Sequence, residues 1–469
     1  MSDTKEFDVV VIGAGPGGYV AAARAAALGL KTAVIEKDPE LGGTCLHRGC
    51  IPTKALLHAA DVYGDIKDAA KMGVVAEGVL VEWEKVQKHK MQIIKGNAAG
   101  VRHLMKGRKV EVVQGFGSIL DPNTVLVRNQ ANQEARIPTK NVILAVGSKP
   151  RALPFAPFDG KRIMSSDHIL NIEKIPGTLT LIGGGVIGIE FASLFARLGT
   201  KVTVLEMLPQ ILGPADPDCA KELAKELKRQ GCDIKTGVQV TDVTADADSA
   251  TVTYAGADGT TQQQQSEIVL VAIGRPPLTE GIGLENTKAQ MDQGGFIEVN
   301  GMMQSAEPTI YAIGDCVRTP WLAHVASSEG IIAAEHIAGE NPAALNYVHT
   351  PSCVYSEPPV AWAGLTEEQA AAEGHAVKVS KFDFARNAKA AILGKKRGFV
   401  KFVTDEKYGE ILGVHIVGPQ ATDLLAEPAF AMAMETTIDD LAKTVHAHPT
   451  LYESIYEAAA IASGRAIHG

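Results

Sequence analysis

Residues 42–54 read GGTCLHRGCIPTK and set Cys45 and Cys50 five positions apart among glycines and a proline. Two thiols this close could bind a metal, staple a loop, or form a disulfide that opens and closes. A regular helix would separate them by about 7.5 Å along its axis, whereas a disulfide needs Cα atoms about 4.4–6.8 Å apart. A bridge therefore requires the segment to be bent or unwound, which Gly42, Gly43, Gly49 and Pro52 permit. Closed over so short a loop, it should be reducible rather than a staple. The other cysteines, Cys219, Cys232, Cys316 and Cys353, lack the paired spacing of a zinc site and read as small buried apolar residues.

What must position these thiols precedes them directly. FDVVVIGAGPGG (residues 7–18) is an apolar strand running into Gly13-x-Gly15-x-x-Gly18, followed by an alanine-rich helix and the strand TAVIE, which ends at Glu36. At an offset of 170 residues, TLTLIGGGVIG repeats the plan with Gly183, Gly185, Gly188 and the acid Glu206. A strand, a glycine turn, a helix, a strand and an acid make the dinucleotide-binding βαβ fingerprint. The glycines give a tight turn, close approach to the pyrophosphate and close helix packing, and the acid accepts the ribose hydroxyls. One such pattern is weak evidence. Two with identical internal spacing predict two dinucleotide sites. Met207, Leu208 and Pro209 follow Glu206 with no arginine beside it, which suits the free 2′-hydroxyl of NAD rather than a 2′-phosphate.

VILAVGSKP (142–150) and VLVAIGRPP (269–277) read as strands leaving one domain for the next, and TIYAIGDC (309–316) as a strand ending in Gly314-Asp315. Asp315 is placed either to bind a ligand at the sheet's carboxyl edge or to cap the helix in AHVASSEGIIAAEHIAG. From about residue 348, GFVKFVTD and ILGVHIVG read as antiparallel strands and AEPAFAMAMET and ESIYEAAAIASG as helices. QQQQ at 262–265 reads as a short polar loop. The expected organisation is α/β: two Rossmann-like dinucleotide-binding domains over 1–149 and 150–275, a central domain over 276–347, and an α+β domain over 348–469.

The bulk numbers narrow the class. A chain of 469 residues exceeds one ordinary core. A formal charge of −9 without a Lys/Arg run argues against a general nucleic-acid binder. The start, MSDTKEFDVVVIG, has no basic segment leading an apolar one, and no apolar run approaches the roughly 20 residues of a spanning helix. Six cysteines are few for this length, which predicts a reducing, cytoplasmic setting where a disulfide is usually catalytic.

GGTCLHRGCIPTK, together with GAGPGG, GGGVIGIE, TIYAIGDC, LAHVASSEG and HAHPTLYESIYEAA, resembles the signatures of the flavin-dependent pyridine nucleotide–disulfide oxidoreductases along about the full length. The resemblance implies FAD in the first unit, with Gly13, Gly15, Gly18, Glu36, Lys54, Gly147, Asp315 and Ala323 at its site. It implies NAD in the second, with Gly183, Gly185, Gly188, Glu190, Glu206 and Gly274. Cys45 then exchanges with a dithiol substrate and Cys50 lies against the flavin, while Lys54 pairs with Glu190. By themselves Lys54 and Glu190 read as ordinary charges.

HPTLYE (448–453) matches the family's HPT-x-x-E motif. It implies His448 as the base that takes a thiol proton and Glu453 as the carboxylate orienting it, reaching the active site of the partner subunit of a homodimer. His446 reads as a surface or core-edge histidine. The closest resemblance within the family implies a dihydrolipoyl group on a separate protein as substrate, in a 2-oxo acid dehydrogenase complex or the glycine cleavage system. Sister disulfide reductases and a non-catalytic flavoprotein are the alternatives. His47-Arg48, Val146 and Tyr452 depart from residues common at their positions, and none removes a group the mechanism needs.

Overall fold

The computed structural model describes residues 6–256 and 258–468. It divides into two compact units, each assembled from separated stretches of chain. The first contains the residues up to Ala55, Gln87–Arg151 and Gly274–Tyr347; the second contains Leu56–Val86, Ala152–Ile273 and the chain from Val348.

In the first unit, strands Glu111–Gln114, Thr32–Glu36, Phe7–Ile12, Glu134–Leu144 and Ile310–Ala312 lie parallel in that order. Antiparallel strands Thr124–Arg128 and Phe116–Asp121 continue from Glu134–Leu144. The inner parallel strands Phe7–Ile12 and Thr32–Glu36 are mostly β-branched and apolar because both faces are covered. Val9, Val11, Val34 and Ile143 face one core with Ala21, Ala22, Ala25 and Ala333, while Val10, Ile12, Ile35 and Leu144 face another with Ile119 and Val127. The alternation is the two-residue period of a strand. Helices Pro16–Ala27 and Ala323–Ile337 make the first of these layers.

In the second unit, parallel strands Asp233–Lys235, Lys201–Leu205, Thr178–Ile182, Ile268–Val271 and Ile163–Met164 form the second Rossmann-like sheet. An antiparallel sheet of Gln239–Ala245, Ala250–Ala255 and Thr261–Ser266 accompanies it. The polar run Gln262–Gln265 is therefore a strand and not a loop. Its ladder to Ala250–Ala255 supplies the backbone bonds, and the glutamines reach across, with Tyr254 donating to Gln262 at 2.8 Å. From Val348 a five-stranded antiparallel sheet, with order Ser352–Val354, Val360–Gly364, Ile411–Val417, Phe399–Asp405, Val377–Asp383, packs Phe402, Val414 and Ile416 against Leu424, Ile455 and Ala459. This is the expected α+β region. No helix among the described residues is long and apolar enough to cross a membrane.

Candidate active site

The thiol segment is broken where its glycines allow. Gly42, with φ +118°, opens the short helix Gly43–Arg48; Gly49 interrupts it with φ −144° and ψ −115°; Cys50 opens the helix Cys50–Asp68. A Cβ on Gly49 would lie 2.9 Å from the Thr44 carbonyl oxygen. The break folds Cys50 back toward Cys45: the two sulfurs are not bonded to each other, and their side chains share a hydrogen bond. That bond, then burial and the charge of Cys50, push the Cys45 thiol well above its ordinary range. His47 bonds the Leu41 carbonyl at 2.8 Å and Arg48 pairs with Asp38 at 2.6 Å. The two departures in the motif thus clamp the short helix to the chain that leads into it.

The thiols are fixed to the first fingerprint. The Gly42 amide donates to the Ala14 carbonyl at 2.8 Å, and a Cβ on Gly43 would come within 2.6 Å of the Gly15 Cα. A cleft of about 230 Å³ opens beside Cys45, lined by Tyr19, Ile51, Ala323 and His324 among others.

Both fingerprints have the geometry their glycines predict. Gly13 and Gly183 hold φ of +101° and +107°, and a Cβ there would strike the Ala145 and Ala272 carbonyl oxygens at 2.3 and 2.5 Å. A Cβ on Gly18 or Gly188 would fall 1.9 or 2.1 Å from the carbonyl oxygen of Gly13 or Gly183. Next to Gly15 and Gly185 there is open space. The helices they begin carry no side-chain cap and no acid in the first turn, which leaves their N–H groups for an anion. Glu36 accepts from the amides of Ala14 and Asp38, both at 2.8 Å; Glu206 accepts from Gly184 at 2.5 Å and Leu208 at 2.7 Å. Each carboxylate oxygen keeps a lone pair for a ribose hydroxyl. These residues fit a dinucleotide at each site.

Asp315 lies in the turn Gly314–Cys316, and the helix Ala323–Ile337 has Leu322 at its cap, so Asp315 does not cap it. Ser148 donates to Asp315 at 2.5 Å, and Arg275 donates to Ser148 at 2.8 Å. Glu329, buried in that helix, accepts from the Gly314 amide at 2.7 Å and from Tyr347 at 2.9 Å. Sequence reasoning missed Ser148, Arg275 and Glu329; the only signal was that Ser148 follows Gly147 and Arg275 follows Gly274. Gly147 and Gly274 are left-handed, and Gly147 accepts from the Leu278 amide. Gly274 therefore belongs to the first unit, whereas Gly183, Gly185, Gly188 and Glu206 belong to the second. Lys54 also lies in the first unit. Glu190 lies in the second, buried, and accepts from the Tyr355 amide at 3.1 Å.

In the second unit, His448 bonds Glu453 through Nδ1 at 2.8 Å, and Glu453 also accepts from the Thr450 amide at 2.8 Å. Burial pushes the Glu453 carboxyl up, but the Thr450 amide and His448 outweigh it and hold the group below its ordinary value. Facing a carboxylate, Nδ1 carries the proton, which leaves Nε2 to accept one. The His448 side chain is 72% exposed.

The model of the pyridine nucleotide-disulphide oxidoreductase family matches residues 7–330, and that of the family's dimerisation domain matches 350–459. The chain belongs to this family. It is 47% identical to dihydrolipoyl dehydrogenase of Bacillus subtilis over 99% of each chain. It is 44% identical to that of Geobacillus stearothermophilus over 99% of this chain and 97% of the relative. With the mitochondrial dihydrolipoyl dehydrogenase of Schizosaccharomyces pombe it shares 39% over 100% and 92%. The structure of LpdA from Mycobacterium tuberculosis superposes with a TM-score of 0.90 at 27% identity, covering 96% of this chain and 98% of that one. Relatives of this kind use FAD and NAD, which matches the two cradles, and the dimerisation domain makes the protein a homodimer.

Proposed function

We propose that this protein oxidises a dihydrolipoyl group carried on another protein and passes the electron pair to NAD+. The observation that carries the reading is the Cys45–Cys50 pair, bent into hydrogen-bonding contact and tied by Gly42 to the loop of the first fingerprint. Support for the substrate comes from full-length relatives named dihydrolipoyl dehydrogenase in bacteria and mitochondria. In this reading residues 1–149 and 276–347 hold FAD, 150–275 hold NAD, and 348–469 form the dimer.

His448, reaching the thiols of the partner subunit, takes the proton of one lipoyl thiol on Nε2 while Glu453 steadies the imidazolium. The lipoyl thiolate attacks Cys45 Sγ, the Cys45–Cys50 bond breaks, and Cys50 leaves as thiolate. The second lipoyl thiol then attacks its own mixed-disulfide sulfur, closing the lipoyl disulfide and returning Cys45. The proton of that second thiol passes to the departing Cys45 sulfur, Cys50 stays as the thiolate, and His448 keeps the first proton. Bound FAD supplies the two-electron relay by which the dithiol is reoxidised and NAD+ becomes NADH. Lys54, Gly147, Asp315 and Ala323 would hold the flavin, and Glu190 and Glu206 the nicotinamide nucleotide. The setting is a reducing, cytoplasmic one, in keeping with few cysteines.

Dihydrolipoamide-dependent reduction of NAD+ tests the reading. Cys45→Ser should abolish it while flavin stays bound; full turnover by that variant would refute the scheme. Co-purification of a lipoylated protein with the intact dimer tests the partner.

A further inference from the structure

His446, two residues before the base, is not the surface residue its sequence position allows. Its side chain is 8% exposed. Nδ1 lies 3.0 Å from the Thr444 carbonyl oxygen and Nε2 lies 2.9 Å from Glu427 Oε1, and the ring leans on Tyr456 at 5.9 Å between centroids. A carbonyl oxygen only accepts, so Nδ1 carries a proton. The Nε2–Glu427 bond holds a second one, whether it resides on the ring or on the carboxyl. The other Glu427 oxygen is buried without a hydrogen-bond partner among the described residues, so the carboxyl's polar tie is to this one ring.

The three partners come from three places. Glu427 is on the helix Ala426–Ala433, Tyr456 on the helix Glu453–Ala462, and Thr444 in the loop itself. On the other side of His448, Thr450 is held by Glu453. The chain is thus anchored two residues before and two residues after the base, and Ala447–Pro449 projects between the anchors. Val445, beside the first anchor, is 95% exposed, so apolar packing of the loop does not replace the polar tie.

We propose that the Glu427–His446 pair is a positioning device for the base: it fixes the loop so that His448 Nε2 is held at the reacting dithiol. This rests on the reading of His448 given above. Freeing even one loop residue means that the base must be re-ordered against conformational entropy in every turnover.

The test uses the full-length, FAD-loaded dimer. Dihydrolipoamide oxidation needs the base, whereas NADH oxidation by ferricyanide reports the flavin and nucleotide sites without it. Glu427→Ala should lower kcat for dihydrolipoamide about tenfold with the ferricyanide reaction unchanged. Glu427→Gln, whose amide can donate to a neutral Nε2, should restore most of it. Its pH profile should keep the limb set by His448. Full dithiol turnover in Glu427→Ala would overturn the proposal, and so would an equal loss of both reactions, or a Gln variant no better than Ala. His448→Gln separates the two claims: if it keeps full dithiol turnover, the base assignment fails whatever Glu427 does.

Discussion

The helices that follow the two fingerprints, Pro16–Ala27 and Val186–Arg197, have the same length and the same glycine geometry at their starts, yet they pack by opposite means. At the 170-residue offset, Gly17, Ala21 and Ala25 of the first stand where Ile187, Phe191 and Phe195 stand in the second. The first helix lies flush against Ala323–Ile337: a Cβ on Gly330 would come 2.7 Å from the Gly17 carbonyl oxygen and 3.1 Å from the Ala21 Cβ. The second buries Phe191 and Phe195 in a large side-chain core with Leu56, Leu57 and Trp83. Their ends differ too. Arg24 pairs with Glu335 at 2.5 Å, whereas Arg197 pairs with Asp61 at 3.2 Å. Cofactor binding fixes the turn, which is the same twice. What the helix back must meet is free to differ: in the first unit it meets the helix that starts at Ala323 beside the thiol cleft.

The comparison breaks most easily at the turns. Gly18→Ala should eliminate flavin retention, read as visible flavin absorbance per mole of protein. Gly188→Ala should leave flavin in place and eliminate NAD+ binding, read by calorimetry. If either variant lost both ligands, the two sites would not be independent. Next come the helix backs. Phe191→Ala should destabilise the second unit by about 3–5 kcal/mol in a urea titration. Ala21→Phe should overpack the first at a cost of about 1–3 kcal/mol or more. Equal tolerance of bulk at both positions would contradict the difference in packing. The carboxylates come third. Glu206→Gln should raise the NAD+ KM by about ten- to a hundredfold, as expected for losing a charge-assisted bond worth about 1.5–3 kcal/mol, and leave flavin content unchanged.

Smallest is the effect at the end of the second helix. Burial pushes the Asp61 carboxyl up to about 6 against the pull of Arg197. A carboxyl that holds its proton more tightly when folded makes stability fall as pH rises from its unfolded value, about 3.9, through about 6. Asp61→Asn should therefore flatten stability between those limits. With Asp61 partly exposed, the change should stay under about 1 kcal/mol, measured as urea midpoints at the two pH values. A steeper fall in the variant would reverse the sign and contradict the assignment.

Much of this was legible in the residues because the requirements are local. Gly13, Gly18, Gly183 and Gly188 are where a side chain would strike backbone, and a glycine pattern records that directly. The broken helix at Gly49 followed from the reach of a disulfide. Gln262–Gln265 was misread because its strand is fixed by a neighbour in the sheet and not by its own composition. Ser148, Arg275 and Glu329 are ordinary residues whose role exists only once strands far apart in sequence bring them to Asp315. His446 was unreadable for the same reason, since Glu427 lies on another helix.

The central claim is that Cys45 and Cys50 pass between a bridge and two thiols. Alkylating the oxidised dimer under denaturing conditions with iodoacetamide, then repeating after anaerobic reduction with NADH, tests it with peptide mass spectrometry as the readout. Labels should appear on Cys45 and Cys50 only after NADH, with the other four cysteines labelled alike in both samples. Labelling of Cys45 and Cys50 that does not change with NADH would contradict the account.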